Sequence, residues 1–508
     1  MSTHAAILPI LIPFAAALLQ LGGSRGLTFQ RSVGLIATLL GIVASIWLVQ
    51  LADDGALLVY ALGNWAAPFG IVLAVDRLAA GMTLLTALLA GVSLLYASSG
   101  FDKRGRHFHP LFQLQIMGIQ GAFMTGDLFN LFVFFEVMLL ASYVLLAHGG
   151  GRPRTRAGLA YVVLNLAGSA LFLIALALLY GTLGTLNLAD IASRLQTTEH
   201  NIALARLAGA LLMAVFALKA ALLPLSFWLP HTYAAAGAPV AALFVIMTKV
   251  GMVAILRVQA VAFAPAATMA DLLTGWLTPL ALATILFAAL GALTATRLRT
   301  FAAWLVLASA ATLLLAPAHA QADITAAALY YLFQSAFIGA ALFLLAELIA
   351  GRRGEAADFI QPGPAFRAPW LALGFFLAAI TATGLPPFSG FLGKLMLLST
   401  LRETPSGPAI WAVMLAAGFL IMIALAKAGS HLFWKRKPDM QPPAAPFTAW
   451  QRTAAVVLLI AAGPLLMVFA RPVSDYATRA ATQLHTPGAY VNGVLGANKQ
   501  AIAREARP

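Results

Sequence analysis

The chain has 508 residues, 61% of them hydrophobic and only 9% charged, against roughly 45–50% and about 25% in soluble domains. That balance excludes an ordinary soluble fold, and within a membrane protein the net charge of +14 reads as loop charge that sets topology, not as a nucleic-acid surface. With no cysteine the chain offers no disulfide, iron–sulfur cluster or thiolate metal site, and neither a cofactor nor a metal site is expected.

Runs of about 17–25 apolar residues, the length that spans a bilayer, fall at 5–22, 32–51, 72–97, 110–125, 128–147, 157–180, 207–230, 238–260, 273–295, 301–317, 324–350, 368–401, 408–434 and 452–470. They predict an all-α polytopic membrane protein of about fourteen transmembrane helices. Residues 1–471 form a single transmembrane domain and 472–508 a short tail. The first run has no Lys or Arg ahead of it and no persuasive cleavage site, so it reads as a retained helix and not a signal peptide.

Lys and Arg in alternate loops fix the expected orientation. The odd-numbered loops carry Arg25, Arg31, Lys103, Arg104, Arg106, Arg152, Arg154, Arg156, Arg297, Arg299, Arg352, Arg353, Arg367, Lys435, Arg436 and Lys437, sixteen in all. The even-numbered loops carry Arg194, Arg206, Arg257 and Arg402. An excess of sixteen over four places the odd loops on the inner side and both ends of the chain on the outer side.

Taken in chain order, the polar residues are few. Asp76 and Arg77 open the third helix, where a local ion pair is expected. His107 and His109 flank Phe108 in a basic loop and read as solvated. Asp127 opens the fifth helix as an N-cap or as an ion-access group. Four charges fall inside predicted helices: Glu136 in LFVFFEVMLL, Lys219 in AVFALKAALLPL, Lys249 in FVIMTKVGMV and Lys394 in SGFLGKLMLL. Each costs roughly 2.5–3.5 kcal/mol at a helix centre unless water or a partner reaches it. One carboxylate cannot pair with three lysines, and burial penalises the charged form of any lysine, which suits such groups to proton exchange. A nearby carboxylate restores the charge, so a changing Glu136–Lys219 distance would move a proton. The plainer reading is an ion pair that only locks two helices together.

Two of the lysines adjoin helix breakers. Lys219 precedes Pro224 and Pro230, and Lys394 follows Pro386 and Pro387. Broken helices at matching places in two halves point to an ion pathway. They imply two five-helix repeats, about 110–260 and 273–434, which the odd helix number makes inverted in the membrane. His231, after the first break, is a possible proton-access group. GFLGKL lacks the spacing and the Ser/Thr of a phosphate-binding loop.

The stretches GAFMTGDLFNLFVFFEVMLLASYVLLAHGG, ALKAALLPLSFWLPHTYAAAGAPVAALFVIMTKVGMVAILRV and TGLPPFSGFLGK resemble the antiporter-like subunits shared by respiratory complex I and the Mrp-type (Mnh, Sha or Pha) cation/proton antiporters. The form of Thr125–Glu136 is most similar to the D-type subunit of the latter. The resemblance extends from about Ile71 to Trp434. It implies a relay of Glu136, Lys219, Lys249 and Lys394, and a bacterial inner-membrane hetero-oligomer with a large A-type subunit and small membrane subunits that exchanges Na⁺ or K⁺ for H⁺. One position departs from the family pattern: Gln334, where many relatives carry histidine, cannot titrate near neutrality, leaving water, Ser335 or a further residue to bridge the relay between Lys249 and Lys394. The alternative function is a proton-pumping membrane subunit of a complex I-like oxidoreductase or a membrane hydrogenase, with the chemistry in other chains. A scaffold without transport does not explain four charges in the membrane.

Overall fold

A bilayer offers no partners to a bare backbone, so spanning segments close their hydrogen bonds within helices. The computed structural model describes residues 2–22, 26–65, 69–197, 201–364, 368–437, 440 and 449–505; Arg25 and Arg367, counted above as loop charges, lie outside them. The chain begins with α1 (Ser2–Ala5), α2 (Leu8–Leu21) and α3 (Leu27–Asp53). A two-stranded antiparallel hairpin follows, β1 (Leu58–Ala61) and β2 (Val72–Val75), with Leu58 opposite Val75 and Ala61 opposite Val72. Here the expected helix over 72–97 is corrected at its start, because its first four residues are the strand β2. Val-Leu-Ala-Val is as apolar as a helical turn, and hydropathy cannot separate the two.

The helix itself, α4 (Arg77–Ala97), starts after Asp76, whose carboxylate accepts the Ala79 N–H at 2.8 Å. Then come α5 (Phe108–Met124), α6 (Leu128–Ala147), α7 (Arg152–Leu183), the short amphipathic α8 (Leu188–Thr197), α9 (Ile202–Lys219), α10 (Trp228–Ala235) and α11 (Ala238–Arg257), which continues as a π-helical turn to Phe263. The second half holds α12 (Leu277–Thr294), α13 (Leu298–Leu313), α14 (Leu315–His319), α15 (Ala322–Arg353), α16 (Pro369–Thr383), α17 (Ser389–Leu401), α18 (Gly407–Gly429), α19 (Trp450–Val468), α20 (Ala470–Leu484) and α21 (Pro487–Glu505).

Among the described residues eleven helical segments are long and apolar enough to cross a membrane. The remaining predicted spans correspond to the shorter α2, to α5 with its Gln113, Gln115 and Gln120, and to the divided pair α16 and α17. A helix that is apolar all round belongs in the interior, and α11 fits this: every residue from Ala238 to Phe263 is buried. It packs on α15, α9 and α4.

The segment expected as a tail is helical. α20 buries Ala477, Ala480, Ala481 and Leu484 and packs on α15 and α4. Polar bonds fasten it there: Tyr476 donates to the Arg77 carbonyl at 2.7 Å, and Arg479 pairs with Asp53 at 2.8 Å.

One ion-pair expectation and one expectation of a solvated histidine are corrected. Asp76 does not pair with its neighbour Arg77; it takes a bidentate bond from Arg257, at 2.7 and 2.9 Å, and both side chains are about 5% exposed or less. Arg77 turns instead to the Asp53 carbonyl. At the opposite end of the bundle His107 is exposed but His109 is buried, and its Nε2 lies 3.0 Å from Asp102, which Arg31 also binds at 2.6 Å. Burial opposes ionisation of Asp102, but the bonds from Arg31 and His109 outweigh it and hold the carboxyl at about 2.

Removing one partner of a buried pair strands the other charge, at a cost of about 3–5 kcal/mol, while an apolar replacement of both is often neutral. Arg257→Leu should therefore lower the unfolding midpoint strongly, and Asp76→Leu/Arg257→Leu should recover most of the loss. Thermal unfolding in detergent checks this; equal destabilisation by the single and double variants would show that the pair is not the cause.

Candidate functional site: a line of lysines in the bundle

The first helix break follows directly from Lys219. α9 ends there, residues 220–227 run without regular helix, and α10 resumes at Trp228. A helix end leaves carbonyls without intrahelical partners, and the Trp228 indole N–H meets one of them, the Leu218 carbonyl, at 3.2 Å. Pro224 lies inside the break. Pro230 instead occupies the first turn of α10, where proline removes no needed bond. The buried α11 crosses the break at Gly251. A Cβ there would come within 2.7 Å of the Ala220 nitrogen, so only glycine permits this approach.

Glu136 on α6 and Lys219 on α9 are both held by α7. Ser169 donates a short hydrogen bond to the Glu136 carboxylate. Lys219, only 5% exposed, donates to Asn165 Oδ1 at 3.1 Å. Asn165 and Ser169 stand one helical turn apart, so α7 presents two adjacent polar groups to the two charges. No direct ion pair closes between Glu136 and Lys219, so the helices are not locked by one.

Lys249, in the middle of α11, is fully buried, and its ammonium donates to Ser309 on α13 at 3.0 Å. Lys394 sits on the second turn of α17, just past the other break. There α16 ends at Thr383, residues 384–388 turn through Pro386 and Pro387, and Lys394 Nζ reaches back to the carbonyls of Ala382 and Thr383 at 3.2 and 2.8 Å. A cation at the carbonyl end of a helix meets both free acceptors and the negative end of the helix dipole. The same logic places Lys219 in the last turn of α9.

The result is a chain of groups through the bundle, from Glu136 through Ser169 and Asn165 to Lys219, then Lys249 with Ser309, then Lys394. Among the described residues no ion pair joins any of the three lysines to a carboxylate. Their partners are neutral oxygens, which accept a hydrogen bond from an ammonium or an amine alike. Such sites can hold a lysine in either protonation state.

The other singled-out residues are more dispersed. Asp127 caps α6, accepting the Asn130 N–H at 2.8 Å, and is buried. His231 is exposed on α10. Gln334 and Ser335 are buried on α15 between the Lys249 and Lys394 sites. The residues missed from sequence are Asn165, Ser169 and Ser309. Their signal is polarity at helical spacing within otherwise apolar runs, as in YVVLNLAGSALF.

A polytopic helical bundle with two broken helices and a lysine line across its interior defines a proton-handling membrane subunit of the antiporter-like class. Residues 125–424 match the family model described as NADH:quinone oxidoreductase/Mrp antiporter, transmembrane, and the chain belongs to that family. It is 39% identical to the D-type subunit of a probable K(+)/H(+) antiporter of Rhizobium meliloti strain 1021, over 97% of this chain and 98% of that one. It is 35% identical to the D-type subunit of the Na(+)/H(+) antiporter of Bacillus subtilis strain 168, over 96% and 99%. A chain in the structure of the Mrp complex from Dietzia sp. DQ12-45-1b superposes with a TM-score of 0.87 at 26% identity, covering 97% of this chain and all of the other.

The second break depends on Gly390 as the first depends on Gly251, since a Cβ at Gly390 would lie 1.8 Å from the Thr381 carbonyl oxygen. Gly390→Ala should lower both the unfolding midpoint and the yield of folded protein. Gly181→Ala on α7, where nothing lies within 4 Å, should be neutral or stabilising by up to about 1 kcal/mol. Equal midpoints for the two variants would refute the close approach.

Proposed function

We propose that this chain is the proton-translocating D-type subunit of a multi-subunit monovalent cation/proton antiporter, a transporter component and not an enzyme. The observation that carries the reading is the placement of Lys219, Lys249 and Lys394 inside the bundle against neutral oxygens only. Protons would pass along this line, with Glu136 held at its start through Ser169 of α7. The cation exchanged is Na⁺ or K⁺; both are named among the similar D-type antiporter subunits.

The remaining parts of the reading follow the same family. The subunit would work in the inner membrane of a bacterium, surrounded by lipid, with a large A-type subunit and small membrane subunits as partners. The Lys and Arg distribution supports placing the hairpin end, with both chain ends, on the outer side. Fourteen crossings would then be arranged with two inverted five-helix repeats, 110–260 and 273–434, each carrying a broken helix in fourth place. Membership of a redox-driven pump is less well supported, because the sequence relatives at 39% and 35% identity over nearly the whole chain are D-type antiporter subunits.

Lys219→Ala and Glu136→Ala should each abolish cation-dependent proton exchange by the complete complex in vesicles, with complex abundance unchanged. Lys394→Arg should fail in the same assay, because arginine keeps the charge but, with a pKa above about 12, releases no proton. Wild-type exchange by any of the three assembled variants would remove that residue from the relay.

A further inference from the structure

A long apolar groove opens outward from the bundle between α3 and α19. Both helices pack on α4, which forms the floor together with Phe337 of α15. The groove has a volume of about 720 Å³, and of the described residues that line it only Thr38 carries a polar side chain. The Thr38 hydroxyl donates to the Gly34 carbonyl of its own helix at 2.7 Å, so it offers the groove no proton. Leu39 on one wall and Leu458, Leu465 and Phe469 on the other are each more than half exposed. The groove therefore stays open along its length.

An apolar cavity does not hold water, and an empty one forfeits the dispersion contacts of its walls. Hydrocarbon is the filling that a bilayer supplies. The end of the groove nearest the basic loops is built differently. On α19 the residues Arg452, Leu459, Ala462 and Leu466 share one helical face, and the last three line the groove. Arg452 thus stands at the end of the row. Its Nε donates to Ser99 Oγ at 2.7 Å, just beyond the groove residue Leu95, and its guanidinium lies 5.6 Å from the centre of the Tyr96 ring. Among the described residues no carboxylate pairs with Arg452. Two carboxylates at this end, Asp102 and Glu347, are already taken by Arg31 and Arg104. Trp450, two residues before Arg452, is 66% exposed, as suits an aromatic side chain at the membrane interface.

We infer that this groove binds an anionic phospholipid, with an acyl chain along the groove and the phosphate at Arg452. From Arg452 to Leu466 the helical face is about 21 Å long at 1.5 Å per residue, more than half of the roughly 30 Å hydrocarbon core. A lipid of one leaflet spans that distance from head group to chain end. The Arg452 guanidinium spends Nε on Ser99 and keeps its terminal N–H groups for a phosphate, which such a planar fork matches. A basic site between spanning helices at the loop end favours an anionic head group. A zwitterionic head group brings its own cation and gains less beside an arginine.

The complete complex, reconstituted in vesicles of equal parts phosphatidylglycerol and phosphatidylcholine, is probed with a trace of either lipid carrying a photoreactive diazirine in one acyl chain, and labelled residues are mapped by mass spectrometry. The phosphatidylglycerol probe should label α3, α4 and α19 along the groove roughly fivefold more than the phosphatidylcholine probe, the effect of about one basic residue facing an anionic lipid. Arg452→Gln should bring the two probes to equal labelling with complex abundance unchanged, and Arg452→Lys should keep most of the preference. Ala462→Phe, which puts a ring into the groove, should suppress labelling by both probes; Val92→Phe fills the groove from α4 if that variant does not assemble. Equal labelling of the wild type by the two probes would reduce the groove to ordinary surrounding lipid and overturn the inference. A preference that survives Arg452→Gln would overturn it too, as would full labelling of an assembled groove-filling variant. A wild-type complex labelled by neither probe would show a neighbouring protein helix in the groove and overturn it as well.

Discussion

An ammonium group inside a bilayer must find oxygen, and where helices can supply it governs much of this architecture. Every backbone carbonyl in an unbroken helix is already bonded, so a continuous bundle offers little to a lysine at mid-depth. The chain obtains free oxygens by ending helices inside the protein. Lys394 takes the two carbonyls exposed where α16 stops, and Lys219 stands at the end of α9 beside an asparagine of α7. Lys249 lies in an intact helix and depends on a serine of α13. In all three cases the hydrogen-bond partner is neutral.

Broken helices in turn need tight packing to keep their free ends from the lipid. The wholly buried α11 provides the central post, and its Gly251 lets backbone touch backbone at the first break. At the second break Gly390 brings α17 onto the last turn of α16. The buried Asp76–Arg257 pair ties the end of α11 to the start of α4, and α20 fastens the same end through Tyr476 and Arg479.

The legible part of this molecule is what hydropathy and charge encode locally. Apolar runs locate the helices, and Lys beside Pro locates both breaks, because a charge and a backbone defect are each expensive in a membrane. What stays hidden depends on pairing across the sequence. Arg257 meets Asp76 from 181 residues away, so neighbouring Arg77 looks the better partner. His109 reads as a loop residue because it sits beside Arg106 and His107, although its ring turns inward to Asp102. Strand β2 is hidden because four apolar residues look alike in strand and helix. Pro230 looks like a second breaker, but a proline two residues into a new helix disturbs nothing. Asn165 and Ser169 are uncharged and so draw less notice than Glu136 and Lys219, the two groups they hold.

Lys249 offers the most direct measurement, since it is fully buried, has one neutral side-chain partner and stands in an unbroken helix. Methionine matches the length of its apolar stem but carries no titratable nitrogen. The complete complex with Lys249→Met, reconstituted in vesicles and pulsed with Na⁺ or K⁺, should assemble normally and move no protons. Wild-type proton movement by that assembled variant would contradict a relay through the lysine line.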